Sequence, residues 1–438
     1  MCIVGTTFAM ALTSAVANVQ TPSTATYNVI ADFNGSDGDS PGGKLVMDSS
    51  GRLYGVTGWG GHVPSSGNCL PPPYGCGVIY EAAPNSGGGW TLTDIFKFSG
   101  PNGSTPGGGL VRDKSGNLYG VAAFGGNGVC AGENGCGLVY ELSPRSGGWT
   151  EKVLHQFQGS ADGQTPFGTL ALDTYGNLFG VTQLGGTGSG LAFELSPSST
   201  GKWTEKTIFT FTGGSEPGQP EYGLILGKAG NLYGVTSGGD FNGVWGSEGI
   251  GCGLVYELSP NNGAWTENVI FAFDGTDGFR PTGNLIFDGA GNLYGTTADG
   301  GDLSGCNYGG GCGLVYELSP PSSGKWTNKI LHAFRPGSGG NSPFGGVTLD
   351  SLGNLYGATL YGGASNNGVL FRLTKRSSGV WPETVLHPFT GRRDGGLSQS
   401  QLLFSAGTLF GTAGAGGITD DCTATSFAGC GVVFEIKP

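Results

Sequence analysis

The stretch SGNLYGVAAFGG, residues 115–126, recurs with small changes along the whole chain. Its copies lie 54 to 65 residues apart and are centred on seven aromatic residues, Tyr54, Tyr119, Phe179, Tyr233, Tyr294, Tyr356 and Phe410. Each repeat divides into four short runs rich in Val, Leu and aromatic residues, separated by Gly, Pro, Ser or Asp, which is typical of antiparallel strands and turns. No stretch has the 3.6-residue periodicity of an amphipathic helix.

The two ends of the chain favour a closed ring of these repeats over an open solenoid. A single four-stranded unit cannot bury both of its faces, whereas units arranged around an axis bury them against their neighbours. The last repeat stops after its third strand, GVVFEIKP at 431–438, and the missing fourth strand matches ATYNVIADFNG at 25–35. The sequence therefore predicts an all-β, seven-bladed β-propeller of four-stranded antiparallel blades. Residues 18–438 form this single domain, and the N-terminal strand closes the ring in the last blade.

The phrases GLVRDKSGNLYGVAAFGG, residues 109–126, and GCGLVYELSP, residues 135–144, resemble the GloVer (Gloeo/Verruco) tandem repeat. The turn D-x-x-G-N-L-Y is also similar to that of NHL and gluconolactonase-like propellers. The resemblance implies an exported bacterial propeller, and no agreed activity comes with it. Many GloVer proteins end in a sorting or anchoring segment, whereas this chain ends on a strand, so we expect release into the periplasm or the medium.

The composition argues against two classes of partner. The formal net charge is −12, and an acidic surface repels phosphate backbones, so we expect no nucleic-acid binding. No run of 18 apolar residues is present, which predicts no membrane span. We expect a monomer whose partner is a glycan or a component of the cell envelope.

The first 17 residues, MCIVGTTFAMALTSAVA, are predicted to be a signal peptide. They are apolar and end in the small-residue pattern Ala15-Val16-Ala17, which fits cleavage before Asn18. The Lys or Arg that normally begins such a peptide is missing, so a frayed native N-terminus is the alternative. A signal peptide predicts a secreted or periplasmic protein.

Eight of the ten cysteines occur as close pairs, each bracketing a Gly-rich loop at the same point of a repeat. The predicted disulfides are Cys69–Cys76, Cys130–Cys136, Cys306–Cys312 and Cys422–Cys430. Such bridges persist in an oxidising compartment. Zinc needs four converging ligands, usually from C-x2-C spacings, so no metal site is predicted. Cys252 has no partner in its own loop, and Cys2 leaves with the signal peptide, so Cys252 is predicted to be a free thiol.

Residues that recur at one position of most repeats are interpreted as structural. His155, His332 and His387 share a position that three other repeats fill with Phe and one with Ala, which indicates packing rather than a metal or base cluster. The Glu after the aromatic of the third strand, the Asp of the D-x-x-G turn and the Trp that begins the fourth strand are assigned to hydrogen bonding, turn formation and blade packing. The acidic turns at 34–39 and 274–278 offer oxygens to calcium, but Asp-Gly turns explain them equally well, so we expect no cofactor.

The ligand site is predicted on the face where the long, variable loops between second and third strands emerge together with the blade-to-blade connections. We call this the loop face. The residue before the double glycine differs in every repeat, and these seven residues are predicted to ring the axis there: Trp59, Phe124, Leu184, Ser237, Asp299, Tyr361 and Ala415. The predicted ligand-binding residues are Trp59, Phe124, Tyr361, Trp245, Tyr308 and Asp299. The alternative is that the loop aromatics pack on their own disulfide-bonded loops.

Aromatic platforms with sparse carboxylates suit sugar rings, so the sequence favours an exported bacterial binding or interaction protein for extracellular carbohydrate. The alternatives are a glycan-active enzyme, namely a lyase, glycosidase or lactonase, and a structural component of the envelope. The weak catalytic candidates are Asp299, Glu248 and Asp240. Whether the chain is an enzyme stays open, and a carboxyl pair about 5–10 Å apart favours glycosidase chemistry.

Overall fold

A computed structural model describes residues 25–62, 69, 74–130, 135–159, 161–186, 188–213, 218–238, 252–301, 306, 310–321, 324–418, 422 and 429–438. These residues form 28 strands and no helix. The strands make seven antiparallel sheets of four strands each, packed around one axis as the blades of a propeller. The fold class predicted from the sequence is confirmed. None of the described residues belongs to a helix that is able to cross a membrane.

The strands of each blade follow the chain from the axis outward, and only the last blade departs from this order. The outer strand of the seventh blade is β1 (Thr26–Asp32). Blade one consists of β2 (Asp39–Met47), β3 (Leu53–Trp59), β4 (Val78–Pro84) and β5 (Trp90–Lys97). Blade two consists of β6 (Ser104–Arg112), β7 (Leu118–Phe124), β8 (Leu138–Arg145) and β9 (Gly148–Gln156). Blade three consists of β10 (Gln164–Leu172), β11 (Leu178–Leu184), β12 (Leu191–Pro197) and β13 (Trp203–Thr210).

Among the remaining blades, blades four, six and seven have shorter inner strands. Blade four consists of β14 (Ile225–Leu226), β15 (Leu232–Thr236), β16 (Leu254–Asn261) and β17 (Ala264–Ala272). Blade five consists of β18 (Phe279–Phe287), β19 (Leu293–Asp299), β20 (Leu314–Ser319) and β21 (Thr327–Ala333). Blade six consists of β22 (Val347–Leu349), β23 (Leu355–Ala358), β24 (Val369–Leu373) and β25 (Glu383–Pro388). The other strands of blade seven are β26 (Leu403–Ser405), β27 (Thr408–Ala413) and β28 (Val432–Lys437).

The two ends of the chain meet in the seventh blade. Strand β1 pairs antiparallel with β28, and Val29 lies opposite Phe434 while Asp32 lies opposite Val432. Phe33 follows directly and is fully buried between the seventh and first blades. The predicted ring closure by the N-terminal strand is therefore confirmed.

The glycine of the recurring phrase LYG makes room for an aromatic ring of the third strand. A Cβ atom at Gly120 in β7 would lie 2.6 Å from Cζ of Tyr140 in β8, and Tyr140 is fully buried. The same pair recurs as Gly295 in β19 and Tyr316 in β20. Because any side chain at this glycine overlaps the ring, the core of each blade requires the glycine.

The turn and packing roles assigned to the recurring residues are confirmed. Asp113 accepts hydrogen bonds from the backbone and side-chain nitrogens of Asn117, at 2.9 and 2.8 Å, and from the Tyr119 hydroxyl at 3.1 Å. Trp149 of the second blade packs edge-on against Tyr54 of the first, with ring centroids 5.6 Å apart. Local turns thus shape each blade, and aromatic pairs join it to the next.

Blade four replaces the turn aspartate with Gly227, and the recurring glutamate takes over its role. Glu257 accepts hydrogen bonds from Asn231 and from the Tyr233 hydroxyl, both at 2.6 Å. In other blades the equivalent glutamate bonds elsewhere, as Glu141 does with the hydroxyl of Ser143 at 2.9 Å. These glutamates are hydrogen-bonded strand residues, as predicted.

The three recurring histidines are packing residues on separate blades. His155 lies edge-on against Phe157, with centroids 4.8 Å apart, and Phe96 makes the same contact with Phe98 in the first blade. The Nε2 atom of His155 also lies 3.2 Å from Asp162. The prediction that these histidines pack against the recurring Phe is confirmed, since His332 and His387 make the same contact with Phe334 and Phe389.

Candidate functional site

The double glycine that ends each recurring phrase holds two kinds of loop on one face. Gly61, the second glycine in the first blade, donates its N–H to the carbonyl of Gly35 at 2.8 Å, and Gly126 donates to Gly100 at 3.0 Å. Gly35 and Gly100 belong to blade-to-blade connections, whereas Gly61 and Gly126 begin the loops between second and third strands. The two loop types therefore lie on the same face of the propeller, as predicted for the loop face.

A left-handed residue near the start of every inner strand fixes the side chains at the centre of this face. These seven residues have φ between 52° and 58°: Ser40, Thr105, Thr165, Gln219, Arg280, Ser342 and Leu397. Each donates its N–H to the preceding blade, as Arg280 does to the carbonyl of Cys252 at 2.9 Å. A left-handed non-glycine residue costs about 1–3 kcal/mol, which the repeated hydrogen bond between blades helps to offset.

The structure brings two of the predicted residues, Asp299 and Tyr361, into one cluster around Arg280. Arg280 Nε lies 3.4 Å from Asp299 Oδ2, and the guanidinium lies over the ring of Phe344 at 5.8 Å from its centroid. Phe344 and Tyr361 pack together against a small apolar cluster that includes Ala415. The cation is thus held between a carboxylate and an aromatic face.

A second carboxylate approaches Arg280 from the fourth blade. Glu221 accepts a hydrogen bond from the Ser237 hydroxyl, and the positive charge of Arg280 acts to lower the pKa of Glu221. The neighbouring Tyr222 lies edge-on to Phe344, with centroids 6.2 Å apart. We call these residues the loop-face cluster: Glu221, Tyr222, Ser237, Arg280, Asp299, Phe344 and Tyr361.

Both carboxylates of the loop-face cluster hold protons more tightly than exposed ones do. Burial raises the pKa of Asp299, and the Arg280 charge opposes that rise. Burial also raises the pKa of Glu221, against the hydrogen bond from Ser237 and the Arg280 charge. The side chains of Asp299 and Arg280 are 18% and 29% exposed, so the ion pair is accessible from the loop face.

The other predicted contact residues have separate surroundings or lie outside the described residues. Trp59 packs edge-on against Tyr74 of its own disulfide-bonded loop, with centroids 5.6 Å apart. Phe124 ends β7 opposite Ser104, and both are on the second blade. The predicted residues outside the described part of the chain are Asp240, Trp245, Glu248 and Tyr308.

All four predicted disulfides are present. They join Cys69 to Cys76, Cys130 to Cys136, Cys306 to Cys312 and Cys422 to Cys430, with Cα atoms 5.1–5.4 Å apart. The prediction of a free thiol at Cys252 is wrong, because Cys252 is disulfide-bonded and no described cysteine is free. Cysteine spacing in the sequence indicates a partner only within the same loop, whereas a disulfide requires only proximity in space.

Reduction of these bridges is expected to destabilise the loop face. Each closes a loop of six to eight residues, which is worth about 2–3 kcal/mol on the chain-entropy model. The double variant Cys130→Ala/Cys136→Ala should unfold at a lower denaturant concentration, with an unchanged dependence on denaturant. An equal midpoint for the variant and the oxidised wild type contradicts the prediction.

Asp39, at the start of β2, predicts a pH dependence of stability. Its side chain is 3% exposed, and burial raises its pKa from 3.8 to about 6, against hydrogen bonds from Ser40. Between these values the folded protein retains a proton that the unfolded chain releases, so stability falls as the pH rises from about 4 to about 6. Asp39→Asn should make thermal melting less dependent on pH in this window and should raise the melting temperature at pH 7. An unchanged pH profile contradicts the assignment.

The two acidic turns considered for calcium use their oxygens internally. Asp274 Oδ1 accepts hydrogen bonds from the backbone of Thr276 at 2.9 Å and from its hydroxyl at 2.7 Å. Asn34 Oδ1 makes the same pair of bonds to Ser36, at 3.0 and 2.7 Å. Among the described residues no three His, Cys, Asp or Glu side chains are grouped as metal ligands.

Sequence reasoning missed Glu221, Arg280 and Phe344, although it found Ser237, Asp299 and Tyr361 nearby. The missed residues lie at the start of an inner strand or a few residues before it, at repeat positions where the residue type varies among the blades. The sequence signal for these residues is the same one that singles out the seven residues before the double glycine, namely a variable residue at a fixed position of the repeat. The predicted ring contained only the residues before the double glycine, at the end of the second strand.

Comparison with known proteins identifies the repeat. A family model described as the Gloeobacter/Verrucomicrobia repeat matches residues 15–186, 75–244 and 129–310 in tandem. A search of curated proteins finds no match. Because the matches span more than half of the 438 residues, the chain belongs to the Gloeobacter/Verrucomicrobia repeat family.

Proposed function

We propose that this propeller is an exported protein that binds an extracellular carbohydrate at the loop-face cluster. The observation that carries the proposal is the position of Arg280 between Asp299 and the ring of Phe344. Ligand sites combine aromatic walls with a few placed polar groups. The four disulfides support export, since such bridges persist in oxidising compartments.

The chemistry of the cluster favours a sugar over an anion. Sugar hydroxyls both donate and accept hydrogen bonds, so they match carboxylates that accept and a guanidinium that donates. The rings of Phe344 and Tyr361 offer apolar surface to the C–H face of a pyranose. A phosphate or sulfate group is disfavoured, because Glu221 and Asp299 flank the one cation of the cluster and the whole chain carries a net charge of −12.

A glycan-array screen of the oxidised protein tests the proposal, and an aromatic substitution locates the site. Tyr361→Ala should weaken binding of any hit about tenfold or more, since truncating a central aromatic contact typically costs over 1 kcal/mol. Tyr175→Ala is the matched control, because Tyr175 is 86% exposed in the turn between β10 and β11, on the opposite face. Equal weakening by both variants, or no hit on the array, contradicts the proposal. The second outcome favours a structural role in the envelope.

Glycan hydrolysis is the second candidate function, and the raised pKa values of Asp299 and Glu221 favour it. A general acid must keep its proton near the working pH, and burial moves both carboxyls in that direction. Product analysis of each array hit separates the two functions. Recovery of intact ligand supports binding alone, whereas turnover that Asp299→Asn abolishes without loss of binding supports catalysis.

A further inference from the structure

A cavity of about 550 Å³ lies on the propeller axis in the half away from the loop face. It is lined by the inner strands of six blades, β2, β6, β10, β14, β18 and β26. We call it the channel cavity. Its outer end, farther from the loop face, is bordered by Met47 and Arg112, where the strands run into the D-x-x-G turns. The loop-face cluster and the channel cavity are therefore different sites.

A layer of polar side chains caps the inner end of the channel cavity. The Asn284 amide donates to Thr169 Oγ1 and to Gln401 Oε1, both at 3.4 Å, so side chains from blades five, three and seven meet at the axis. Gln401 also donates to the carbonyl of Val347 at 3.0 Å. One residue nearer the loop face, the backbones of neighbouring inner strands are in contact, since a Cβ at Gly43 would overlap the carbonyl of Gly108.

Lys44 places a cation in the same polar layer. It lines the channel cavity, and burial lowers its pKa. Within the described residues its ammonium group has no ion-pair or hydrogen-bond partner. The only other charged residue of the lining is Arg112, and the lining contains no carboxylate. The Lys44 side chain is partly buried. An ammonium that loses part of its hydration without a counter-ion is unfavourable, and a bound anion offsets that cost.

The walls between this layer and the outer end are apolar. Val46, Val111, Ala171, Ile225 and Leu403 line them from five different blades. The cavity is thus polar and positively charged at its inner end and apolar along its length. Its volume lies within the range of small-molecule sites, about 300–1,000 Å³.

We propose that the channel cavity binds an apolar monocarboxylate, with its carboxylate at Lys44 and at the second amide hydrogen of Gln401, the first being donated to Val347. The apolar body of the ligand extends along the valine, isoleucine and leucine side chains toward the turns. An ionised carboxylate supplies the counter-charge that Lys44 lacks, and its oxygens accept from the ammonium and amide donors. A purely polar anion leaves the apolar walls unfilled, and a neutral apolar molecule leaves the ammonium unpaired.

Titration calorimetry with three small probes tests the proposal on the oxidised full-length protein. Octanoate should bind, whereas 1-octanol, which has the same chain without the charge, and acetate, which has the charge without the chain, should bind at least about tenfold more weakly. Lys44→Met and Lys44→Gln should each weaken octanoate binding by a similar factor. Lys228→Met is the matched control, because Lys228 is exposed, and it should bind octanoate as the wild type does.

The outcomes separate this site from the loop-face cluster. Tyr361→Ala should keep full affinity for octanoate, whatever it does to glycan binding. No octanoate binding by the wild type, equal binding by folded Lys44 variants, or equal binding of octanol and octanoate each overturns the proposal. Circular dichroism of each variant establishes that it is folded; if Lys44→Met does not fold, Lys44→Gln provides the comparison.

Discussion

Removal of residues 1–33 should unfold the seventh blade and destabilise the whole ring. The deletion takes away β1, which pairs with β28 from Thr26 to Asp32, and with it the fully buried ring of Phe33. Loss of a buried Phe side chain alone costs about 3–5 kcal/mol, a large part of the 5–15 kcal/mol that stabilises a typical domain. The exposed edge of β28 should also promote aggregation. Chemical denaturation and analytical ultracentrifugation measure the two effects.

Two controls distinguish loss of the closing strand from shortening of the chain. A variant lacking only residues 1–17, the predicted signal peptide, should lose much less stability than the 1–33 deletion, because it keeps β1 and Phe33. A circular permutant that starts at Asp39 and carries residues 25–38 after residue 438 should also fold, because Thr26 lies opposite Lys437 and a short turn is enough to join the two strands. A stable, monomeric product of the 1–33 deletion refutes the claim that β1 is required to close the ring.

Gly295→Ala should destabilise the protein by about 3 kcal/mol, although it adds only one methyl group. The new Cβ would lie 2.5 Å from Cζ of Tyr316, a fully buried ring with no room to move. Gly295 has no positive φ, so the effect comes from packing and not from backbone strain. Urea denaturation of the purified variant measures the loss.

A second glycine of the same blade serves as the control. Gly289 lies in the turn after β18, has no positive φ, and a Cβ there meets no atom within 4 Å, so Gly289→Ala should be nearly neutral. Tyr316→Leu combined with Gly295→Ala should restore part of the lost stability, because the smaller side chain leaves the methyl group space. Equal effects of the two Gly→Ala variants, or simple additivity in the double variant, contradict the packing explanation.

Much of the fold was predictable from the sequence because each blade repeats the same local sequence pattern. The turn at Asp113 and the glycine at Gly120 act within one repeat, and seven copies make the pattern visible above chance. Ring closure was also predictable, because β1 has the sequence of a fourth strand displaced to the other end of the chain. The four disulfides followed from cysteines that are six to eight residues apart.

The candidate site was only partly predictable. Asp299 and Tyr361 stood out as variable residues at a repeated position. Arg280, which pairs with Asp299, and Phe344, which packs against the same apolar cluster as Tyr361, did not. Arg280 precedes Asp299 by 19 residues and Phe344 follows it by 45, so no short motif contains the three. The disulfide bond of Cys252 was missed for the same reason, since its partner is not in its own loop.

The amino-acid sequence by itself determined the number of blades, their strand order, the turns and the way the ring closes, because these depend on residue patterns within one repeat. Only the tertiary structure decided which variable side chains meet: Arg280 with Asp299 and Phe344 on the loop face, and Asn284 with Thr169 and Gln401 on the axis. The physical reason is that a propeller brings one residue from each blade to its centre. The side chains that meet there are separated along the chain, and their contacts depend on the closed ring rather than on any local pattern.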